Sequence, residues 1–160
     1  CGASVIATTG RPEGTDDVMA AGVEAVIDYR SGNLVEAVAD AAAGRPVTRV
    51  IDSECGLNLA SSIEILAEKG VIVGYGSVLE PAPELPFLKM MFKNLTLSSI
   101  LVYLLGDEEA AAYAAIVSDM LERGALDARI QKVLPLEDAA RAHELVEAGD
   151  RAGAVILSTA

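Results

Sequence analysis

The sequence predicts an α/β protein organised as a doubly wound parallel sheet, and three observations lead there. Short apolar or β-branched runs recur at 4–9, 25–28, 47–52, 70–74 and 95–101, with helix-spaced stretches between them. That alternation builds parallel sheets with helices on both faces. The runs close on turn residues such as Gly10-Arg11-Pro12, Asp52-Ser53 and Gly74-Tyr75-Gly76, as strand exits do. Finally, Val50 to Ser77 holds a whole βαβ unit: Val50-Ile51, then Leu59, Ile63, Leu66 and Ala67 at helical spacing, then Val71-Ile72-Val73. Both strands of such a unit point the same way, so 52–54 and 74–77 emerge at one carboxyl edge, where open α/β sheets bind ligands.

The elements follow in order. Ser4 to Thr9 is a strand leaving through Gly10-Arg11-Pro12. Pro12 suits the first turn of a short helix, Glu13, Asp16 and Asp17 suit its positive end, and Gly22 stops it. A strand over 25–28 ends at Tyr29. Asn33 or Ser31 caps a helix over Leu34 to Ala43, whose apolar face is Leu34, Val35, Val38 and Ala42. Gly44-Arg45-Pro46 precedes the next strand and the central unit, whose helix is expected over Leu57 to Ala67. Pro81, Pro83 and Pro86 make 79–86 an irregular loop. Phe87 to Lys93 reads as a short helix, and the strand after it carries Thr96, Ser98 and Ser99, a content suited to a sheet edge or an interface. Asp107 to Glu122 is a helix with Ala112, Ile116, Met120 and Leu121 expected toward the core. A break near Gly124 separates a tail of strand (130–134), helix (to Val146) and strand (154–157).

Composition limits the function classes. The 160 residues are 52% hydrophobic, and 12 Lys and Arg face 24 Asp and Glu, a formal charge of −12. Such a surface argues against nucleic acid or an anionic membrane as partner. The run from Leu95 to Leu105 is too short and too interrupted to span a bilayer. Cys1 and Cys55, with His143 the one histidine, make neither a disulfide framework nor a metal site. The chain enters a strand almost at once without an initiating methionine, and it reads as a piece of a longer protein.

Two places carry candidate chemistry. The exit of the 4–9 strand, where an acid would bind a ribose diol, has Thr9, Gly10 and Arg11 instead. Arg11, with Arg30 and Tyr29 beyond the next strand, suits a ribose phosphate, since a guanidinium pairs with phosphate; equally, both arginines suit a solvated surface. Gly74, Tyr75, Gly76 and Ser77 allow a flat ligand close to the backbone, or form a plain turn. Asp52 at its strand end suits a ligand group or a cap for the next helix through Ser53, with the cap favoured, and Glu54 follows it. Cys55 has no histidine near it in sequence, and His143 reads as a packed or surface imidazole. No residues form an acid–base pair or metal cluster, so no catalytic residue is assigned, and reaction chemistry is left to a bound cofactor.

The combination of Gly22 to Arg30, Lys69 to Ser77 and Pro135 to Leu157 resembles the cofactor-binding half of a medium-chain dehydrogenase/reductase, most of all the quinone oxidoreductase and enoyl reductase branch. The resemblance covers essentially the whole chain. It implies a Rossmann-like sheet lacking its first strand and helix over 1–124, and a tail over 125–160 packing toward an absent catalytic domain. It implies a pyridine dinucleotide along the carboxyl edge, with Ser53, Glu54, Cys55 and Gly56 and then Gly74 to Ser77 near its ribose and nicotinamide. NADPH is expected over NADH, although Gly14 stands where NADPH-using relatives commonly have lysine. The turn at 53–56 is one residue longer than the family's usual one. The parent is expected to be cytoplasmic, dimeric through strand 95–101, and to pass hydride to a quinone or activated carbon–carbon double bond on a small-molecule substrate. The fragment alone is expected to be inactive. The alternatives are a zinc-dependent alcohol dehydrogenase and a non-catalytic nucleotide-binding member.

Overall fold

The structure is a computed structural model that describes residues 2–11, 14–126, 128–149 and 153–159. Pro12 and Glu13, expected to open the first helix, lie outside the described residues. The chain divides into two compact units, Cys1–Leu104 and Leu105–Ala160.

The first unit runs β1 (Ile6–Thr9), α1 (Thr15–Ala20), β2 (Ala25–Asp28), α2 (Leu34–Ala42), β3 (Arg49–Asp52), α3 (Cys55–Ile65), β4 (Val71–Gly74), α4 (Phe87–Lys93) and β5 (Thr96–Ser99). Every pairing is parallel: β1 with β2, and β3 with β4 with β5. The sheet therefore comes as a pair and a triple rather than one continuous ladder. A doubly wound sheet has strand order 3-2-1-4-5-6. Taking the first strand out of that order leaves a pair and a triple, the pattern found. Register aligns the exits, with Thr9 beside Asp28 in the pair and Asp52, Gly74 and Ser99 side by side in the triple.

The core lies between α3, β4 and α4. Leu59, Ile63, Leu66, Ile72 and Met90 are buried there, with Val47, Val50, Cys55 and Leu95 packed around them. Two polar devices hold the periphery. Arg45 Nη1 donates to Ser4 Oγ at 3.0 Å and to Glu24 Oε1 at 3.0 Å, tying the strand pair to the segment entering β3. Lys93 Nζ donates to the carbonyls of Ile63, Glu64 and Leu66 at 2.7, 2.9 and 2.8 Å, closing the C-terminal end of α3. A lysine there satisfies carbonyls that have no helical partner.

Asn33 caps α2 as expected, its Oδ1 accepting from Val35 N at 3.0 Å. Helix α3 starts at Cys55 rather than Leu57 and stops at Ile65. Leu66 turns extended, and Ala67 N donates at 2.9 Å to the carbonyl of Val47 in the segment that enters β3.

The second unit holds α5 (Asp107–Glu122), β6 (Ile130–Pro135), α6 (Ala139–Glu147) and β7 (Ala154–Ser158), with β6 and β7 parallel. A 3-10 turn over Leu136–Asp138 leads into α6. The expected core face of α5 is not a core in this chain: the helix has no buried residue, and Ile116 and Leu121 are 56% and 46% exposed. Helical periodicity marks which face is apolar but not what covers it.

Candidate functional site

The expected residues gather at strand exits in two groups. The first sits where β1 and β2 end. Thr9 Oγ1 accepts from Arg11 N at 3.0 Å and donates to Arg11 O at 3.1 Å, a local turn that any ligand-free threonine can make. Tyr29 N donates to Thr9 O at 3.1 Å, joining the two exits. Asp28 Oδ1 accepts from Arg30 N at 2.9 Å, which turns the chain after β2. The Arg30 guanidinium lies 5.8 Å from the centre of the Tyr29 ring, within cation–π range. The ring itself crosses Gly10: a β-carbon on that residue would stand 2.4 Å from Tyr29 Oη and 3.1 Å from Arg30 Nε. Of the five residues named from sequence at this end, Thr9, Gly10, Tyr29 and Arg30 thus meet, and the Arg11 backbone closes the turn on Thr9.

The second group joins the β3 exit to the β4 exit. Cys55 N donates to Gly76 O at 2.9 Å and Gly56 N to Ser77 Oγ at 3.0 Å. Ser77 Oγ in turn donates to Glu80 O, and Leu79 N donates to Glu54 Oε1 at 2.6 Å. The first two amides of α3 are therefore taken by the following loop, although the opening of a helix ordinarily offers such amides to an anion. Asp52 has the structural role read from sequence: its Oδ1 accepts from Glu54 N at 2.8 Å and from Asn58 Nδ2 at 3.2 Å. Glycine is needed at three points for space. A β-carbon would meet Glu80 O at 2.0 Å from Gly56, Cys55 Sγ at 2.9 Å from Gly74, and Ser53 O at 2.3 Å from Gly76. Ser53, Glu54, Cys55, Gly74, Tyr75, Gly76 and Ser77 thus form one interlocked patch, with the Tyr75 side chain exposed.

Cys55 has a thiol held toward its neutral form. Burial pushes its thiol pKa up, and the Asp52 carboxylate pushes it the same way, so the reactive thiolate is disfavoured. His143 is exposed on α6. Among the described residues, no group of three or more His, Cys, Asp and Glu could hold a metal ion. Two contributors were missed from the sequence, Asn58 and Glu80. Asn58 carries no signal, being one polar residue inside a helical run, and Glu80 acts through its backbone carbonyl.

Parallel βαβ units with ligand-type residues at their exits have the layout of a dinucleotide-binding half-domain. The chain belongs to the zinc-binding dehydrogenase family, whose profile matches residues 1–119. It is 28% identical over 159 residues to a quinone oxidoreductase of Sus scrofa, covering 98% of this chain and 47% of that protein. Against the quinone oxidoreductase of Homo sapiens the figures are 26%, 98% and 47%. The chain thus spans about half the length of the curated relatives it matches. The crystal structure of Escherichia coli quinone oxidoreductase complexed with NADPH superposes with a TM-score of 0.83 at 26% identity, over 98% of this chain and 49% of that one. A mycobacterial quinone oxidoreductase gives a TM-score of 0.85 at 26% identity, over 98% and 49%. No helix among the described residues is long and apolar enough to cross a membrane.

Proposed function

We propose that this chain binds NADPH for an oxidoreductase that passes hydride to a quinone or an activated carbon–carbon double bond. The observation that carries this reading is the meeting of Tyr29 and Arg30 over Gly10, with Arg11 next in the chain and no carboxylate side chain on 9–11 to take a ribose diol. Two guanidinium groups and a phenol match a ribose 2′-phosphate, which a carboxylate would repel. The solved Escherichia coli relative complexed with NADPH supports it. In this reading Thr9, Gly10, Arg11, Tyr29 and Arg30 hold the adenosine end, while Ser53, Glu54 and Cys55 with Gly74 to Ser77 line the nicotinamide end. Bound NADPH supplies the hydride; the protein's part is to hold the reacting groups in place.

The same proposal includes a homodimer. The β5 strand pairs only with β4 among the described strands, and Leu97, Ile100, Leu101, Val102 and Tyr103 beside it are exposed. We place the working protein in the cytoplasm and expect the 160 residues alone to show no turnover. Detectable reductase activity from them would remove that last point.

The test is a fluorescence titration of NADPH and NADH against the full protein that carries these residues, and against its Arg11→Ala variant. Loss of a charge-assisted contact is expected to weaken NADPH about ten- to a hundredfold and leave NADH unchanged. Equal affinity for both cofactors in the unmodified protein overturns the NADPH assignment.

A further inference from the structure

We propose that Tyr75 is a catalytic residue, the acid that hands a proton to the acceptor once hydride has arrived. The inference rests on the oxidoreductase reading above and deepens it by naming the group that completes the reduction. Its starting point is the end of β4, the middle strand of the triple. Asp52, Gly74 and Ser99 close the ladder side by side. Tyr75 is therefore the first residue past the middle of the carboxyl edge, where open α/β sheets take ligands.

The backbone at that point is pinned. Tyr75 N donates to Asp52 O at 3.0 Å, Ile100 N to Gly74 O at 2.9 Å and Cys55 N to Gly76 O at 2.9 Å. On either side of Tyr75 the chain lies so close to the β3 exit that a β-carbon has no room, at Gly74 against Cys55 and at Gly76 against Ser53 O. The side chain between them is nevertheless 58% exposed, and its hydroxyl has no hydrogen-bond partner among the described residues. Neighbouring polar side chains are taken up by the clasp: Asp52 by Glu54 N and Asn58, Glu54 by Leu79 N, Ser77 by Gly56 N and Glu80 O. Ser53 is exposed, but a serine hydroxyl stays beside its own backbone. A rigid mount that carries a long side chain ending in a free O–H has the two properties a general acid needs.

The step balances in atoms and electrons. Hydride addition to the β-carbon of an enone leaves the double bond's electron pair as an enolate. The Tyr75 O–H bond breaks toward the α-carbon, the new C–H bond forms there, and the phenolate takes its proton back from water. With a quinone the same proton goes to the hydroquinone oxygen. The acceptor gains the hydride's electron pair and NADPH loses it. Tyrosine is among the side chains that serve as acids in this way, and such a transfer is worth roughly a hundredfold or more in rate.

The experiment uses the full protein with NADPH and 2-methylcyclohex-2-enone. The new stereocentre of the product is the α-carbon that takes the proton, so the enantiomer ratio, read by chiral chromatography, reports the proton donor. The unmodified protein is expected to give one enantiomer in excess. Tyr75→Phe keeps the ring and loses only the hydroxyl. It is expected to cut kcat about a hundredfold, to leave KM for NADPH unchanged, and to give both enantiomers about equally, as protonation by water does. An unchanged rate and excess overturns the proposal and leaves the oxidoreductase reading standing. A slower variant that keeps the excess does the same, because the proton then comes from elsewhere, and so do equal enantiomers from the unmodified protein. If the unmodified protein reduces duroquinone but not the enone, the fall in kcat at unchanged KM decides, and no fall overturns the proposal. A Tyr75→Phe protein that does not fold in a thermal melt makes the side chain structural and overturns it too. Reduction of neither acceptor by the unmodified protein removes both readings.

Discussion

The clasp between α3 and the loop after β4 can be tested at Gly56. An alanine β-carbon there would stand 2.0 Å from Glu80 O and 2.3 Å from Ser77 Oγ. Carbon–oxygen contacts settle near ~3.3 Å, so the Glu80 carbonyl must retreat by roughly 1.3 Å. It is backbone and cannot rotate aside, so the loop moves with it. That movement breaks the Gly56 N to Ser77 Oγ bond of 3.0 Å and the Leu79 N to Glu54 bond of 2.6 Å. Two hydrogen bonds at about 0.5–1.5 kcal/mol each amount to about 1–3 kcal/mol. Alanine recovers about 0.5–1 kcal/mol over glycine within a helix, which leaves a net loss of up to about 2.5 kcal/mol. At about 2–4 °C per kcal/mol, Tm falls by up to about 10 °C. The control is Gly14→Ala, where the added carbon meets nothing within 4 Å and the backbone, at φ −91°, is right-handed. Urea and thermal melts of both variants decide the matter. A Gly56→Ala protein as stable as Gly14→Ala would show that the loop does not rest on α3.

Three further outcomes follow from the packing and the charges. Ile72, with none of its surface exposed at the centre of the core, is expected to cost about 2–5 kcal/mol on truncation to alanine, read from the urea midpoint. Lys93→Met keeps the aliphatic stem but strips three carbonyls of their donor, and should destabilise by about 1–2 kcal/mol in the same assay. Glu24 has its pKa held down to about 2, first by its hydrogen bond to Arg45, then by one from Ser4. A depressed carboxylate stabilises the fold above its unfolded pKa and loses that contribution as pH falls through the folded one. Wild type should therefore exceed Arg45→Met in Tm at pH 7, and the gap should shrink as pH falls from about 4.5 through about 2; a gap as large at pH 2 as at pH 7 would refute the linkage.

Much of the layout was legible in the residues themselves. The helices over Phe87–Lys93 and Asp107–Glu122 fall where Pro86 and the acidic run from Asp107 put them, because punctuation and first-turn charge act locally. The Val50–Ser77 unit was readable for a similar reason, since its alternation of apolar runs with helical spacing needs no partner to be seen. The start of α3 was not, because Cys55 is drawn into the helix by a hydrogen bond to Gly76, twenty-one residues away.

The sequence by itself determined the parallel α/β class, the order of the elements and the strand exits that carry the candidate site. These follow from local spacing and turn chemistry. Tertiary structure decided the division of the sheet into a pair and a triple, the exposed apolar face of α5, and the reason for Gly10, Gly56, Gly74 and Gly76. A glycine in a string of letters states only that no side chain is present. Which atom occupies the space it leaves (a phenol, a carbonyl or a thiol) depends on segments brought together by folding, and sequence spacing does not encode that distance.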